Sequence, residues 1–143
     1  MDYLKVLVEE IHSVVVATVD ETGHPHTAVM DMMWEDGKTV YFLTADFKSL
    51  YKRLKEDGRV AVTGMTQGAG TMDRKSISLT GQVEWIGKEH LEELLKANPY
   101  MYEIYPTEEG RSYLQVFRFK NAVGNFYDLT QLPPYQARFE IEG

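Results

Sequence analysis

"VYFLTADFKSLYKRLKEDGRVAVT", residues 40–63, decides the fold, because it opens and closes as a strand around a basic amphipathic helix. Thr44, Asp46, Lys48 and Ser49 crowd the junction where that helix begins. If it starts near Asp46 or Phe47, its first-turn amides lack intrahelical partners, and Asp46 is placed to cap them. Lys48 is harder to explain. A first-turn cation faces the positive end of the helix dipole, which costs about a few tenths of a kcal/mol unless an anion neutralises both. A dianionic phosphate would do so by accepting bonds from the free amides, from the hydroxyls of Thr44 and Ser49, and from Lys48. The plainer explanation is that Lys48, like Lys52, Arg53 and Lys55, belongs to an exposed basic helix face.

The rest of the chain places this unit in an antiparallel β architecture. "DYLKVLVEEIH" sets Leu4, Leu7, Val8 and Ile11 at helical spacing, with Asp2 at its start. "SVVVATVD" is a β-branched strand that ends in the turn formers "ETGHP". "HPHTAVMDMMWEDGKTVYFLT" reads as a long hairpin about Asp36-Gly37. "RVAVTGM" continues as a strand and "TQGAGTMDRK" is a glycine-rich connection. "SISLTGQVEWIG" is a long strand in which Gly81 marks a bend or bulge. "KEHLEELLKAN" is a second helix, stopped by Asn98-Pro99, and an aromatic-rich loop follows it. "YLQVFRFKNAVGNFYDL" is a strand bent near Gly124, and the tail 130–143 is extended because Pro133-Pro134 excludes a helix. Six long strands and three helices in 143 residues favour one mainly β domain, 1–143, closed into a barrel with peripheral helices.

Composition narrows the function. Zero cysteines remove disulfides, thiolate metal sites and thiol nucleophiles. A net charge of -7 argues against general nucleic-acid binding, while leaving room for a local basic pocket. The run "SVVVATV" is too short to span a bilayer and no basic leader precedes it, so a cytoplasmic protein is expected. No dinucleotide, P-loop, zincin or nucleophile-elbow motif occurs. His24 and His26 with Asp31 are a weak metal constellation, read more simply as turn and strand-edge residues. "QGAGT" at 67–71 lacks the following helix that phosphate loops use. Met30, Met32, Met33 and Trp34 suit either barrel core or a planar ring. Tyr100, Tyr102, Tyr105 and Tyr113 suit a ring-shaped ligand, a subunit contact or a barrel mouth.

In order, "SVVVATVDETGHPHTAVMDMMWEDGKTVYFLTADFKSLYKRLKEDGRVAVT", "SISLTGQVEW" and "YLQVFRFKNAVGNFYD" resemble the pyridoxamine 5′-phosphate oxidase-like, FMN-binding split-barrel family. The ordered combination carries the resemblance, since each motif alone is weak. It implies a six-stranded antiparallel split barrel, dimerised with FMN at the subunit interface. By position it implies that Lys48 and Ser49 hold the phosphate with Thr44, beside Leu43. Val29, Met30, Asp31 and Met32 would line the flavin ring, largely through backbone groups, and Lys75 and Ser76 would contribute across the dimer. Asp46-Phe47 stands where the family usually has a serine or arginine. The arginine-rich determinants of vitamin B6 oxidation find no clear match, so the resemblance is to the general-stress and Nim-type members. It implies an FMN-dependent oxidoreductase acting on a small molecule such as a nitroaromatic or quinone. The alternatives are a non-catalytic flavin-binding or redox-sensing module and a cofactor-free split-barrel dimer.

Overall fold

The computed structural model describes residues 1–143 as one antiparallel sheet of eight strands with helices at its margins. The strands are β1 (Ser13–Val19), β2 (Pro25–Asp31), β3 (Trp34–Glu35), β4 (Val40–Ala45), β5 (Arg59–Met65), β6 (Lys75–Gly87), β7 (Leu114–Asp128) and β8 (Tyr135–Glu142). Their order is β2-β1-β5-β6-β7-β4-β3, with β8 also paired to β7. β6 runs along one edge of β7, while β4 and then β8 share the other, through Leu114–Arg118 and Asn121–Asp128 respectively. The sheet curls into the half-open barrel expected of the split-barrel class. No helix is long and apolar enough to cross a membrane.

Six of the eight strands are those read from hydrophobic runs. The other two are the two-residue β3 and the tail, which is extended as expected but also pairs with β7 over its length. Aromatic packing holds that pairing, because Phe139 lies over Gly124, where an added Cβ would stand 2.3 Å from the ring. Phe139 also stacks on Tyr3 at 4.6 Å, so both ends of the chain pack on β7. At Gly81 an added Cβ would lie 2.1 Å from the Asn121 carbonyl oxygen, and the register slips at the next step, Gln82/Val83. The anticipated bulge is there, and only glycine permits its close backbone approach.

The long hairpin about Asp36-Gly37 is corrected. The turn exists, with Gly37 at φ 89°, but it joins only β3 to β4, through Trp34↔Tyr41 and Glu35↔Val40. β2 pairs instead with β1 through the "ETGH" turn. The chain breaks from β2 at Met32, whose amide donates to the His12 carbonyl at 2.7 Å, and Met33 donates to Tyr41 at 3.0 Å. Two buried methionines in succession force this deflection, since a continuous strand would turn one of them to solvent.

The interior has two parts. The larger packs Val14, Val16, Phe42, Leu79, Phe117 and Phe119 inside the barrel, sealed by the N-terminal helix α1 (Tyr3–Lys5) and the π-helical turn Val6–Ile11 that prolongs it. α2 (Ser49–Glu56) adds Leu50 and Leu54 to the same core. The smaller part lies where residues 88–113, carrying α3 (Leu91–Ala97), α4 (Met101–Ile104) and α5 (Glu108–Arg111), fold back on β4 and β7. Asn98, only 5% exposed, ties residues 88–113 to the segment that follows β2 by donating through Nδ2 to the carbonyls of Met33 and Leu94 at 2.9 and 2.8 Å. Replacing Asn98 with Ala leaves both carbonyls unpaired, and each costs about 1–3 kcal/mol when buried. Asn98→Ala should therefore lower the unfolding free energy by about 2 kcal/mol or more in urea titrations, and an unchanged midpoint would contradict this tie.

Candidate functional site

Between β2, β4, the start of α2 and the segment 88–113 lies an open cleft of about 660 Å³. That is within the roughly 300–1,000 Å³ of small-molecule and cofactor sites. One end is basic and hydroxylic, and the rest is mostly apolar.

At the basic end α2 does not start as anticipated. Asp46 does not cap it. Its amide is held by the Tyr113 carbonyl at 2.8 Å, and its carboxylate accepts from Gln115 Nε2 at 3.2 Å. Lys48 donates its amide to Ala45 at 3.1 Å, closing a tight turn, and takes the N-cap position itself in extended conformation without a side-chain cap. The Ser49 and Leu50 amides therefore open on the cleft without backbone acceptors. Thr44, Lys48 and Ser49 line this end, and Leu43 lies alongside on β4. Arg53, which sequence reasoning placed on an exposed basic face, joins them. Its Nε donates to Thr18 Oγ1 at 2.7 Å, which fixes the guanidinium at the cleft. Neither Lys48 nor Arg53 forms an ion pair with a carboxylate. The signal that could have found Arg53 is its spacing of four from Ser49, one helical turn along the same face.

β2 supplies another wall. It is an edge strand paired to β1 alone, so half its backbone donors and acceptors lack ladder partners on the open side. Val29, Met30 and Asp31 line the cleft there. Met32 does not, being fully buried in the barrel core. Its side chain points inward because the deflection after Asp31 turns it away from the edge. Lys75 and Ser76 lie at the start of β6 and do not reach the cleft of their own chain, and Lys75 Nζ is 3.6 Å from Glu10. From 88–113 come Met101, Ile104 and Tyr105, apolar wall residues that the aromatic loop only partly foretold. The other tyrosines differ in use. Tyr113 meets Phe47 edge-on, and Tyr102 lies under Arg111 at 5.1 Å.

Tyr100 belongs to a polar cluster at the rim. Its hydroxyl donates to Asp31 Oδ2 at 2.7 Å and contacts His12 Nε2 at 2.8 Å, while His12 Nε2 is 3.4 Å from the same carboxylate oxygen. Ser13 donates to Asp31 Oδ1 at 2.7 Å. Both oxygens of Asp31 are thus engaged at rest, each keeping a lone pair beyond the bond it accepts. His24 and His26 stand apart, drawn to the turn that Asp20 organises, with His26 Nε2 2.8 Å from Asp20 Oδ2. The structure does not bring His24, His26 and Asp31 together.

Such a sheet, with a cleft between an edge strand and a strand–helix junction, defines the class of protein. The model of the pyridoxamine 5′-phosphate oxidase family matches residues 2–127, and the chain belongs to that family. No curated protein matches it. Among solved structures it is similar to a NimC/NimA family protein from Clostridium acetobutylicum at 21% identity, covering 97% of this chain and 87% of that one with a TM-score of 0.74. A pyridoxamine 5′-phosphate oxidase-related, FMN-binding protein from Nostoc punctiforme shares 11% identity, with 92% and 87% covered and a TM-score of 0.60. A heme-binding protein from Mycobacterium smegmatis shares 13%, over 95% of this chain and 56% of that one, with a TM-score of 0.71.

The rim cluster also sets a pH response. Burial first, and the Asp31 carboxylate second, push the Tyr100 phenol well above its ordinary value. A raised folded-state pKa keeps the proton on the native protein after the unfolded chain has lost it. Stability is then full below the ordinary tyrosine value of about 10 and falls as pH rises beyond it. Tyr41 and Tyr3 are shifted the same way. Urea denaturation from pH 9 to 11.5 should show stability declining, less steeply in Tyr100→Phe. Equal slopes would contradict the shift at Tyr100.

Proposed function

We propose that the cleft binds FMN and that the protein is an FMN-dependent oxidoreductase acting on a small electron acceptor such as a nitroaromatic or quinone. One observation carries this reading: two cations without carboxylate partners, two hydroxyls and an uncapped helix start meet at one end of an otherwise apolar cleft. A terminal phosphate on a planar, largely apolar ligand answers both halves. Lys48, Arg53, Thr44, Ser49 and the first amides of α2 would hold the phosphate. The open backbone edge at Val29, Met30 and Asp31, with Leu43 and Met33, would meet the ring. The FMN bound by the Nostoc punctiforme relative supports the choice of ligand. Bound FMN would supply two-electron redox chemistry, and the protein would orient it and exclude water. Nothing in the cleft offers the arginine cluster that a second phosphate, on a vitamin B6 substrate, would need.

The assembly proposed is a homodimer. On the outer face of β1, β5 and β6, Val15, Ala17, Ala61, Thr63, Ser78 and Thr80 form an uncharged, shallow depression of about 410 Å³. Val15 is 41% exposed there and Val29, at its border, 75%. A flat face of small uncharged residues in a chain of net charge -7 suits a second copy of itself. Such pairing would allow Lys75 and Ser76, which miss their own cleft, to approach the partner's.

Two tests separate these claims. A charge-assisted bond contributes roughly 1.5–3 kcal/mol, and about 1.4 kcal/mol is tenfold in affinity. Lys48→Ala and Arg53→Ala should each weaken FMN binding at least about tenfold while the protein stays folded, and an unchanged dissociation constant would put the phosphate elsewhere. Ala61→Arg, at the middle of the outer face, should convert the dimer to monomer in sedimentation; a dimer that persists would move the interface. Reduction of a nitroaromatic or quinone by NAD(P)H through the bound flavin then distinguishes an enzyme from a carrier.

A further inference from the structure

The rim cluster has a proton count that its geometry fixes. His12 Nδ1 lies 3.1 Å from the Val8 carbonyl, which can only accept, so Nδ1 carries hydrogen. The contacts Nε2···Tyr100 oxygen and Tyr100 oxygen···Asp31 Oδ2, at 2.8 and 2.7 Å, are two hydrogen bonds in series. They need two hydrogens. Tyr100 provides one, so the other sits on His12 Nε2 or on Asp31. The array therefore holds one mobile proton, either as imidazolium with carboxylate or as imidazole with carboxylic acid.

The two ends of this array are similarly exposed, the Asp31 side chain at 27% and that of His12 at 30%, but only Asp31 lines the cleft. The residue after Tyr100, Met101, lines it as well. The His12 side chain reaches water. It is held there by a backbone conformation rare for any residue but glycine, φ 63° and ψ -66°, at the point where the N-terminal π-helical turn ends. A non-glycine residue kept in such a conformation marks a place that the surrounding structure over-determines. The groups that face the ring are Tyr100 and Asp31. On its own segment Glu10 is drawn towards Lys75.

We propose that Asp31 is the proton donor to substrates reduced in the cleft, and that His12 resupplies it through Tyr100. This rests on the FMN reading above. A quinone that takes a hydride from reduced flavin becomes a hydroquinone monoanion, and its phenolate oxygen then needs one proton. The proton on the array passes from His12 Nε2 to the Tyr100 oxygen as the Tyr100 hydrogen passes to Asp31 Oδ2. Charge is conserved and the array is now imidazole, phenol and carboxylic acid. The carboxyl O–H breaks, a phenol O–H forms, and the product leaves as neutral hydroquinone. Asp31 is left as carboxylate, and water reprotonates His12 at its exposed edge. Ser13 stays bonded to Oδ1 throughout and keeps the carboxyl group oriented.

The array is tested with and without flavin. In cofactor-free protein, NMR should show one hydrogen on His12 Nδ1 and a second hydrogen-bonded between Nε2 and the Tyr100 oxygen, and Tyr100→Phe should abolish the second. Absence of the Nε2–Tyr100 hydrogen bond in the unaltered protein would overturn the proposal whether or not flavin binds. In flavin-loaded protein reduced anaerobically, rapid mixing with a benzoquinone follows reoxidation against pH. General acids contribute about 10²–10⁴-fold, so in protein saturated with FMN Asp31→Asn should slow reoxidation at least about a hundredfold. Tyr100→Phe and His12→Asn should flatten the pH profile, asparagine being chosen because it tolerates positive φ. Reoxidation rates and pH profiles equal to the unaltered protein's in Asp31→Asn and Tyr100→Phe would overturn it. Failure to bind FMN at all would instead remove the functional reading and leave the resonance measurement to decide the array.

Discussion

The pairing of β6 with β7 is the constraint on which the rest depends. β7 gives one edge to β6 and divides the other between β4 and β8, so a single 15-residue strand fixes where three others end. Slipping that register by one residue would turn Phe117, Phe119 and Phe126 from core to solvent, three side chains that are at most 1% exposed. The slip is therefore prohibited by several kcal/mol, since each buried aromatic or aliphatic side chain contributes roughly 1.5–3 kcal/mol. The bulge at Gln82/Val83 lets the two strands keep pairing while the sheet curls, and Gly81 gives the space.

From that register the cleft follows. β4 is tied to the N-terminal half of β7, so the junction of β4 with α2 is held at one end of the sheet. β2, at the far end of the strand order, is left with an open edge on the side where the sheet curls back. A binding surface made this way needs few dedicated side chains, because unpaired backbone groups on an edge strand and the first amides of a helix already present donors and acceptors. Residues 88–113 complete it by lowering apolar side chains from a separate small core, with Asn98 as the polar tie.

Most of the architecture was legible because it rests on local pattern. β-branched runs gave six strands, and "TADFKSLYKRL" gave the strand–helix junction with Lys48 out of place. What was not legible depends on choices of partner. Whether β2 pairs with β1 or with β4 is undecided by "HPHTAVMDMMWEDGKTVYFLT", since both pairings bury the same alternate residues. The decision lies with the amides of Met32 and Met33, which find acceptors on His12 and Tyr41. Met32 was assigned to the cleft by its position in the family resemblance, and the deflection after Asp31 turns it into the barrel core instead. The tail alternates through Tyr135, Ala137, Phe139 and Ile141, a strand signal that the two prolines just before it obscured. Seven of the ten residues anticipated at the site do line the cleft, while Met32, Lys75 and Ser76 do not. Arg53 escaped notice because a guanidinium on a basic helix looks solvated until Thr18, from a different strand, fixes it.

A chain of net charge -7 that concentrates uncompensated cations at one helix start presents an electrostatic problem with one natural solution. Asp46 is adjacent in sequence and could have neutralised Lys48, yet its carboxylate is turned to Gln115. Asp57, on the same helix exit, is committed to Arg59, whose guanidinium holds it down at about 2. Asp46 and Asp57 are thus spent on other partners, and the positive ends of Lys48, Arg53 and the helix dipole all act on the same small volume. Placing like charges together opposes folding slightly, by tenths of a kcal/mol per exposed pair. It favours binding more strongly, because an anion entering the cleft meets donors that no internal carboxylate must first release. The arrangement that is unfavourable for the protein alone is the one that would favour an anionic ligand, as the proposed FMN phosphate would be.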